Sequence, residues 1–360
     1  MEDYDLHALL RMMVECNASD LYLTTGAPPH VKVDGVVQAL PLAALQPGQT
    51  QHLVQAVMTP KAQADFARDL ECNLSYAPHD IGRFRINVYR QRHEVGLVAR
   101  AVRSEIPTQD ALGLPSAVRA LAQLPRGLVL IIGAAGSGKS TTMASLVDHR
   151  AHHHPGHILT VEDPIEYLFR HGQSTVDQRE VGVDTHSFSD ALHNAMRQAP
   201  DMIIIGEIRD RETMQHALAY AETGHLCLST LHASNASQAV KRILNFFPES
   251  AHAQLRMDLS LNLQAVVAQR LVPAISGGRA LATEVLLHSA HVADLILRGA
   301  EDELRNALEK ASTQGNHSFD QSLLELVQAG RIDAETALVH ADSRTDLGLR
   351  MRLHSSHDPH

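Results

Sequence analysis

The sequence predicts a two-domain α/β protein whose larger domain is a mostly parallel sheet covered by helices. Three observations predict it. Short apolar runs alternate with amphipathic helical segments across residues 128–230, the pattern that parallel strands and their crossover helices leave in a chain. An apolar strand runs straight into a glycine-rich loop and then a helix at residues 128–142. A shorter α/β pattern precedes Ile106–Pro115, a stretch with the Pro and Gly punctuation of an interdomain linker.

Taken in order, the first domain is expected over residues 1–105. From Leu6 to Val14 apolar residues recur at helical spacing, and 21–23 and 31–33 read as short strands. Asp34-Gly35 is a hairpin signal, because glycine accepts the positive φ of a tight primed turn. Residues 51–58 and 61–69 read as helices. In 83–89 Phe84, Ile86 and Val88 alternate with Arg83 and Arg85, which therefore share the opposite face of a strand. Residues 95–102 continue that sheet, and 106–115 form the linker. The second domain, 116–353, has strand candidates at 128–132, 158–161, 202–205 and 226–230. Beyond about residue 250 helices dominate, with one strand candidate at 280–286, and 354–360 reads as a flexible tail.

Composition narrows the function. At 360 residues the chain has room for two cores. No stretch approaches the ~18–20 uninterrupted apolar residues of a membrane-spanning helix, so no transmembrane segment is expected. The acidic, amphipathic start lacks a basic secretory leader, which predicts a cytoplasmic protein. A net charge of −10 argues against sequence-independent nucleic-acid binding, which needs Lys and Arg to displace counterions from phosphates. Cys16, Cys72 and Cys227 form no CxxC pair, suggest neither a disulfide framework nor a zinc knuckle, and read as buried thiols. The run His152-His153-His154 reads as a solvated helix end.

The chemistry gathers at strand ends. Gly133-Ala134-Ala135-Gly136-Ser137-Gly138-Lys139-Ser140, followed by Thr141, is a complete phosphate-binding loop in its strand-to-helix context. Its glycines let backbone N–H groups point at phosphates, and the helix N-terminus adds partial positive charge. Lys139 supplies a mobile cation for the β- and γ-phosphates, and the Ser140 hydroxyl is the expected magnesium ligand. Glu162, Asp163 and Glu166 follow the strand at 158–161, where carboxylates face bound phosphates or merely form a polar capping loop. Glu207 follows the run 202–206 in the Walker B manner, holding the magnesium or its water. His225 and His232 flank the strand at 226–230, as γ-phosphate sensors or as capping and core residues.

GAAGSGKST (133–141), VEDPIEY (161–167), IIIGEIRD (203–210) and AETGHLCLSTLHA (221–233) match in order the Walker A, Asp box, Walker B and His box of secretion and pilus-motor ATPases. Within that superfamily the chain resembles the PilT/PilU retraction branch, and the PilU type above all. PRGLVLIIG (125–133), STVDQREVGVDT (174–185), MRQAPD (196–201), NASQAVKRILNFFP (235–248), MDLSLNLQAVVAQRLVP (257–273) and HADS (340–343) carry that likeness.

The resemblance implies an α/β chain with a RecA-like P-loop ATPase domain behind a smaller N-terminal PAS-like α/β domain. It also implies ATP and Mg2+ as cofactors and a homo-hexameric motor, alone or with a PilT-type ATPase, that acts on an inner-membrane pilus platform protein from the cytoplasmic side. By resemblance Glu166 polarises the attacking water and Glu207 acts at the magnesium. His225 and His232 are the His-box sensors, and Arg85, Arg100 and Arg197 match arginines that relatives supply to the nucleotide. Two departures stand out: His193 occupies a position where relatives often carry arginine, and 304–310 keeps only part of a PilT retraction element. The first weakens one phosphate contact and supports a scaffold role, and the second favours the PilU type, an accessory motor, over PilT. The competing readings are a weakly hydrolysing scaffold partner and a pilus-assembly or type II secretion ATPase.

Overall fold

A computed structural model describes residues 4–33, 35–102, 105–310 and 315–355. The turn expected at Asp34-Gly35 and the tail expected at 354–360 fall partly outside those residues, at Asp34 and at 356–360. The chain divides into two compact units, Met1–Glu105 with Glu166–Leu168, and Ile106–Ile165 with Phe169–His360.

The first unit is an antiparallel sheet of β1 (Asp20–Leu23), β2 (His30–Val33), β3 (Val36–Ala39), β4 (Glu71–Tyr76), β5 (Phe84–Gln91) and β6 (Glu94–Ala101), in the order β3-β2-β1-β6-β5-β4. One face packs on the helix Leu6–Glu15, whose start Asp5 caps by accepting from the N–H groups of His7 and Ala8. Phe84, Ile86 and Val88 lie in that core with Leu9, Leu10 and Leu97, and Arg83 and Arg85 take the other face, as the alternation predicts. Helices at Gln49–Gln55 and Pro60–Asp69 match the expected ones within three residues. The strand β4 was not foreseen. It is an edge strand with no fully buried residue, so its sequence carries almost no apolar period.

The second unit holds β7 (Gly127–Ile132), β8 (Gly156–Glu162), β9 (Ser174–Glu180), β10 (Met202–Ile205), β11 (Leu226–Leu231), β12 (Leu263–Pro273) and β13 (Arg279–Leu287). Their order is β13-β12-β7-β11-β10-β8-β9, parallel throughout except for the β12–β13 hairpin. Every residue of β7 is buried. Val129 and Ile131 meet Met143, Leu146 and Val147 of the helix Lys139–His153, while Leu128, Leu130 and Ile132 join the core on the opposite face. Burial on both faces explains why these strands read as unbroken apolar runs. The strands β9 and β12 were missed. The first is a polar edge strand, and the second is a long apolar run that periodicity alone cannot separate from a buried helix.

The expectation of three buried thiols is corrected: only Cys227, in the middle of the sheet, is buried. Cys16 is exposed because it sits at a helix C-cap, and Cys72 is half-buried because it lies on the edge strand β4. His152 and His153 do end an exposed helical turn, their Nδ1 atoms 2.8 and 2.7 Å from the carbonyls of Asp148 and His149. Among the described residues no helix is long and apolar enough to cross a membrane.

Glu284 is a buried carboxyl on β13, accepting the Ala236 N–H at 2.8 Å where the helix Ala236–Asn245 begins. Burial pushes its pKa up to about 7, with Asp342 adding to the rise and the Ala236 N–H, Arg270 and Arg305 opposing it. A folded pKa above the unfolded one means the folded chain binds the proton more tightly, so stability falls as pH rises from about 4.5 to about 7. Glu284→Gln keeps an acceptor for Ala236. It should raise stability at about pH 8 by on the order of 3 kcal/mol and flatten the pH profile of urea unfolding. An unchanged slope would show that this carboxyl does not set the profile.

Candidate active site

The strand register brings four motifs to one edge. Ile205 lies opposite both Val161 and Ser229, and Leu231 lies opposite Ile132. Gly133, Glu162, Glu207 and His232 therefore leave β7, β8, β10 and β11 at the carboxyl end of the same parallel sheet, where open α/β sheets bind ligands.

The loop after β7 turns through glycines in conformations that other residues rarely adopt, with φ of +151° at Gly133, +75° at Gly136 and +90° at Gly138. Gly133 is also sterically fixed: a Cβ there would stand 2.4 Å from Ser137 Oγ and 2.7 Å from the Gln269 carbonyl oxygen. The loop ends at Gly138, which starts the helix Lys139–His153 without any side-chain cap. Ser140 and Thr141 stand half-buried in its first turn. A helix start without a side-chain cap is suited to an anion. The Lys139 side chain is buried, and its Nζ donates to the carbonyls of Gly133 at 2.9 Å and Ala134 at 2.8 Å. The cation is thus held at the loop by two neutral backbone carbonyls, weaker partners than an ionised oxygen.

Glu207 is three-quarters or more buried and fully engaged. Its Oε2 accepts from Arg209 Nε at 2.8 Å, and its Oε1 lies 3.1 Å from His232 Nε2. Arg209 reaches on to Asp163 Oδ2 at 3.4 Å. Asp163, Arg209, Glu207 and His232 thereby link the ends of β8, β10 and β11, and the hydrogen bond that Arg209 donates to Glu207 leads the upward shift of the Arg209 pKa. Gly206 allows the approach, since a Cβ there would come within 3.2 Å of the Glu162 Cα. Thr230 steadies the turn, its Oγ1 donating to the Gly206 carbonyl at 2.7 Å and its backbone carbonyl accepting the Ile208 N–H at 2.9 Å. Beside it Glu162 accepts from Thr160 Oγ1 at 2.7 Å and Gln178 Nε2 at 3.3 Å.

The structure does not bring His225 or Arg197 to this edge. His225 precedes β11, a full strand of ~20 Å from the carboxyl end at ~3.3 Å per residue. Its Nδ1 is 3.1 Å from Thr223 Oγ1, and its carbonyl accepts the Gly127 N–H, which is the capping role. Arg197 is exposed in the turn before β10, donating to Asn194 Oδ1 at 3.2 Å, with His193 exposed one turn earlier. Arg85 and Arg100 are brought together as cross-strand neighbours of β5 and β6, Arg100 Nε donating to the buried Asp20 at 2.6 Å. Glu166 is exposed and belongs with Tyr167 and Leu168 to the first unit. Arg209 escaped the sequence reading even though it follows Glu207 by two residues, close enough for a charged pair at a strand end.

A family model described as type II/IV secretion system protein matches residues 97–285. The type IV pilus ATPase PilU of Pseudomonas aeruginosa is 49% identical over 355 residues, covering 98% of this chain and 93% of that protein. The chain belongs to the type II/IV secretion system protein family. The type IV pilus retractation ATPase PilT of Pseudomonas aeruginosa is 38% identical over 333 residues, covering 92% of this chain and 97% of that protein. Among solved structures, the pilus retraction motor PilT with bound ADP superposes with a TM-score of 0.90 at 39% identity, covering 96% of this chain and 99% of that one. The secretion-family fold expected from the sequence, a RecA-like P-loop domain with a smaller N-terminal α/β domain, is the fold found.

Proposed function

We propose that the chain is an ATP-hydrolysing, hexameric motor that drives or assists type IV pilus retraction. The observation that carries this reading is near-full-length similarity to PilU combined with a phosphate loop whose lysine and Glu207 stand at one sheet edge. Residues 133–141 would hold the phosphates of ATP, with Lys139 exchanging two carbonyls for phosphate oxygens. Ser140 and Glu207 would hold Mg2+, which neutralises charge on the phosphates when bound. Glu166 would polarise the attacking water. Arg85, Arg100 and Arg197 would offset negative charge in the transition state, the first two supplied by the N-terminal domain of a neighbouring subunit. His232, 3.1 Å from Glu207, would report the γ-phosphate, and His225 stands at the opposite end of β11. If closure supplies the arginines, hydrolysis and domain rotation become one event, which is what a motor requires. The cytoplasmic face of the inner membrane, against a pilus platform protein, is the place for it.

The test is genetic and enzymatic together. Deleting the gene should change surface motility and pilus number, and wild type should restore both while Lys139→Ala should not. Unaltered pili and movement after deletion would remove the retraction reading. Exposed His193, standing where relatives often have arginine, supports the alternative of a weakly hydrolysing scaffold. A turnover rate that Lys139→Ala leaves unchanged would favour that alternative.

A further inference from the structure

Gln269 is out of character for its place. Along β12 Ala265 and Val267 face the core beneath the phosphate-loop helix, and Val266, Ala268 and Val272 face the opposite core. Alternation puts Gln269 on the first of these faces, where it is only 1% exposed. A buried amide costs about 1–3 kcal/mol unless its hydrogen bonds are made. Here one is made: Nε2 donates to Thr142 Oγ1 at 2.7 Å, in the first turn of the loop helix. Its Oε1 has no partner among the described residues, and neither has the buried hydroxyl of Ser137. The backbone carbonyl of Gln269 and Ser137 Oγ are the two groups that crowd Gly133. One residue of β12 thus touches the loop at its start, through Gly133, and just past its end, through Thr142. A leucine would fill the space without a polar cost, so the amide contributes only where its hydrogen bonds set the loop.

We propose that Gln269 is a positioning residue for nucleotide binding: its amide straps the first turn of the loop helix to β12 and so holds the phosphate loop in its binding shape. The proposal rests on the reading of residues 133–141 as the nucleotide site. It predicts opposite effects on the two states. Gln269→Leu removes an unpaired buried acceptor from the nucleotide-free chain, so urea unfolding without ligand should be unchanged or shifted to higher denaturant. The same variant should bind ADP with Mg2+ about tenfold more weakly by calorimetry, equivalent to about 1.4 kcal/mol. An affinity within about twofold of wild type would overturn the proposal and leave Gln269 as core filling. Should Gln269→Leu also lose stability without ligand, Thr142→Val decides. A similar tenfold loss, not deepened in the double variant, supports the strap, and an unchanged or additive affinity overturns it. A wild-type chain that fails to bind ADP removes the nucleotide reading and the strap with it, whereas equal binding by wild type and Gln269→Leu removes the strap alone.

Discussion

Lys139→Ala should lower steady-state ATP turnover by at least about a hundredfold, the scale on which removal of one preorganised charge-stabilising donor acts. The physical reason is that this side chain is the only cation the loop itself carries, and it is already gathered at the loop mouth by the Gly133 and Ala134 carbonyls. Alanine removes that charge and leaves two carbonyls facing the phosphates, so binding and chemistry should both suffer. Phosphate release from purified protein measures it. A rate within a few-fold of wild type would mean that hydrolysis, if any, occurs elsewhere.

Glu207→Gln should act differently. The amide keeps the size of the side chain and one acceptor oxygen, but it takes the charge out of a group that holds Arg209 at 2.8 Å and His232 at 3.1 Å. Turnover should fall about 10²–10³-fold, with nucleotide affinity much less affected, because a carboxylate proposed to act at the metal and its water would matter most in the transition state. Arg209 would then be drawn toward Asp163, already 3.4 Å away. Kinetics paired with calorimetry separates the two effects. Retained turnover would show that Glu207 is a structural partner of Arg209 and nothing more.

Much of this was legible in the residues. The phosphate loop announces itself because each glycine answers a backbone demand, positive φ at three positions and steric exclusion at Gly133. Buried strands such as β7 and β10 are legible because both faces are covered, and alternation in β5 gives its arginine face directly. The edge strands β4 and β9 carry no such pattern, because they expose one side and lose the apolar signal. Site membership was harder to read. His225 and His232 are equivalent in sequence, one at each end of β11, and only strand direction separates the phosphate edge from the far edge. Gln269 lies far from the loop in the chain and meets it only because β12 pairs with β7 in parallel.

The central claim is that residues 133–140 wrap the phosphates of a nucleotide while Glu207 faces the same spot. A crystal structure of the chain with Mg2+ and a non-hydrolysable ATP analogue tests it most directly. The account predicts phosphate oxygens within hydrogen-bond distance of the loop N–H groups, Lys139 Nζ moved from the Gly133 and Ala134 carbonyls onto them, and Glu207 turned to the metal or its water. A nucleotide bound elsewhere, with Lys139 still on those two carbonyls, would contradict it.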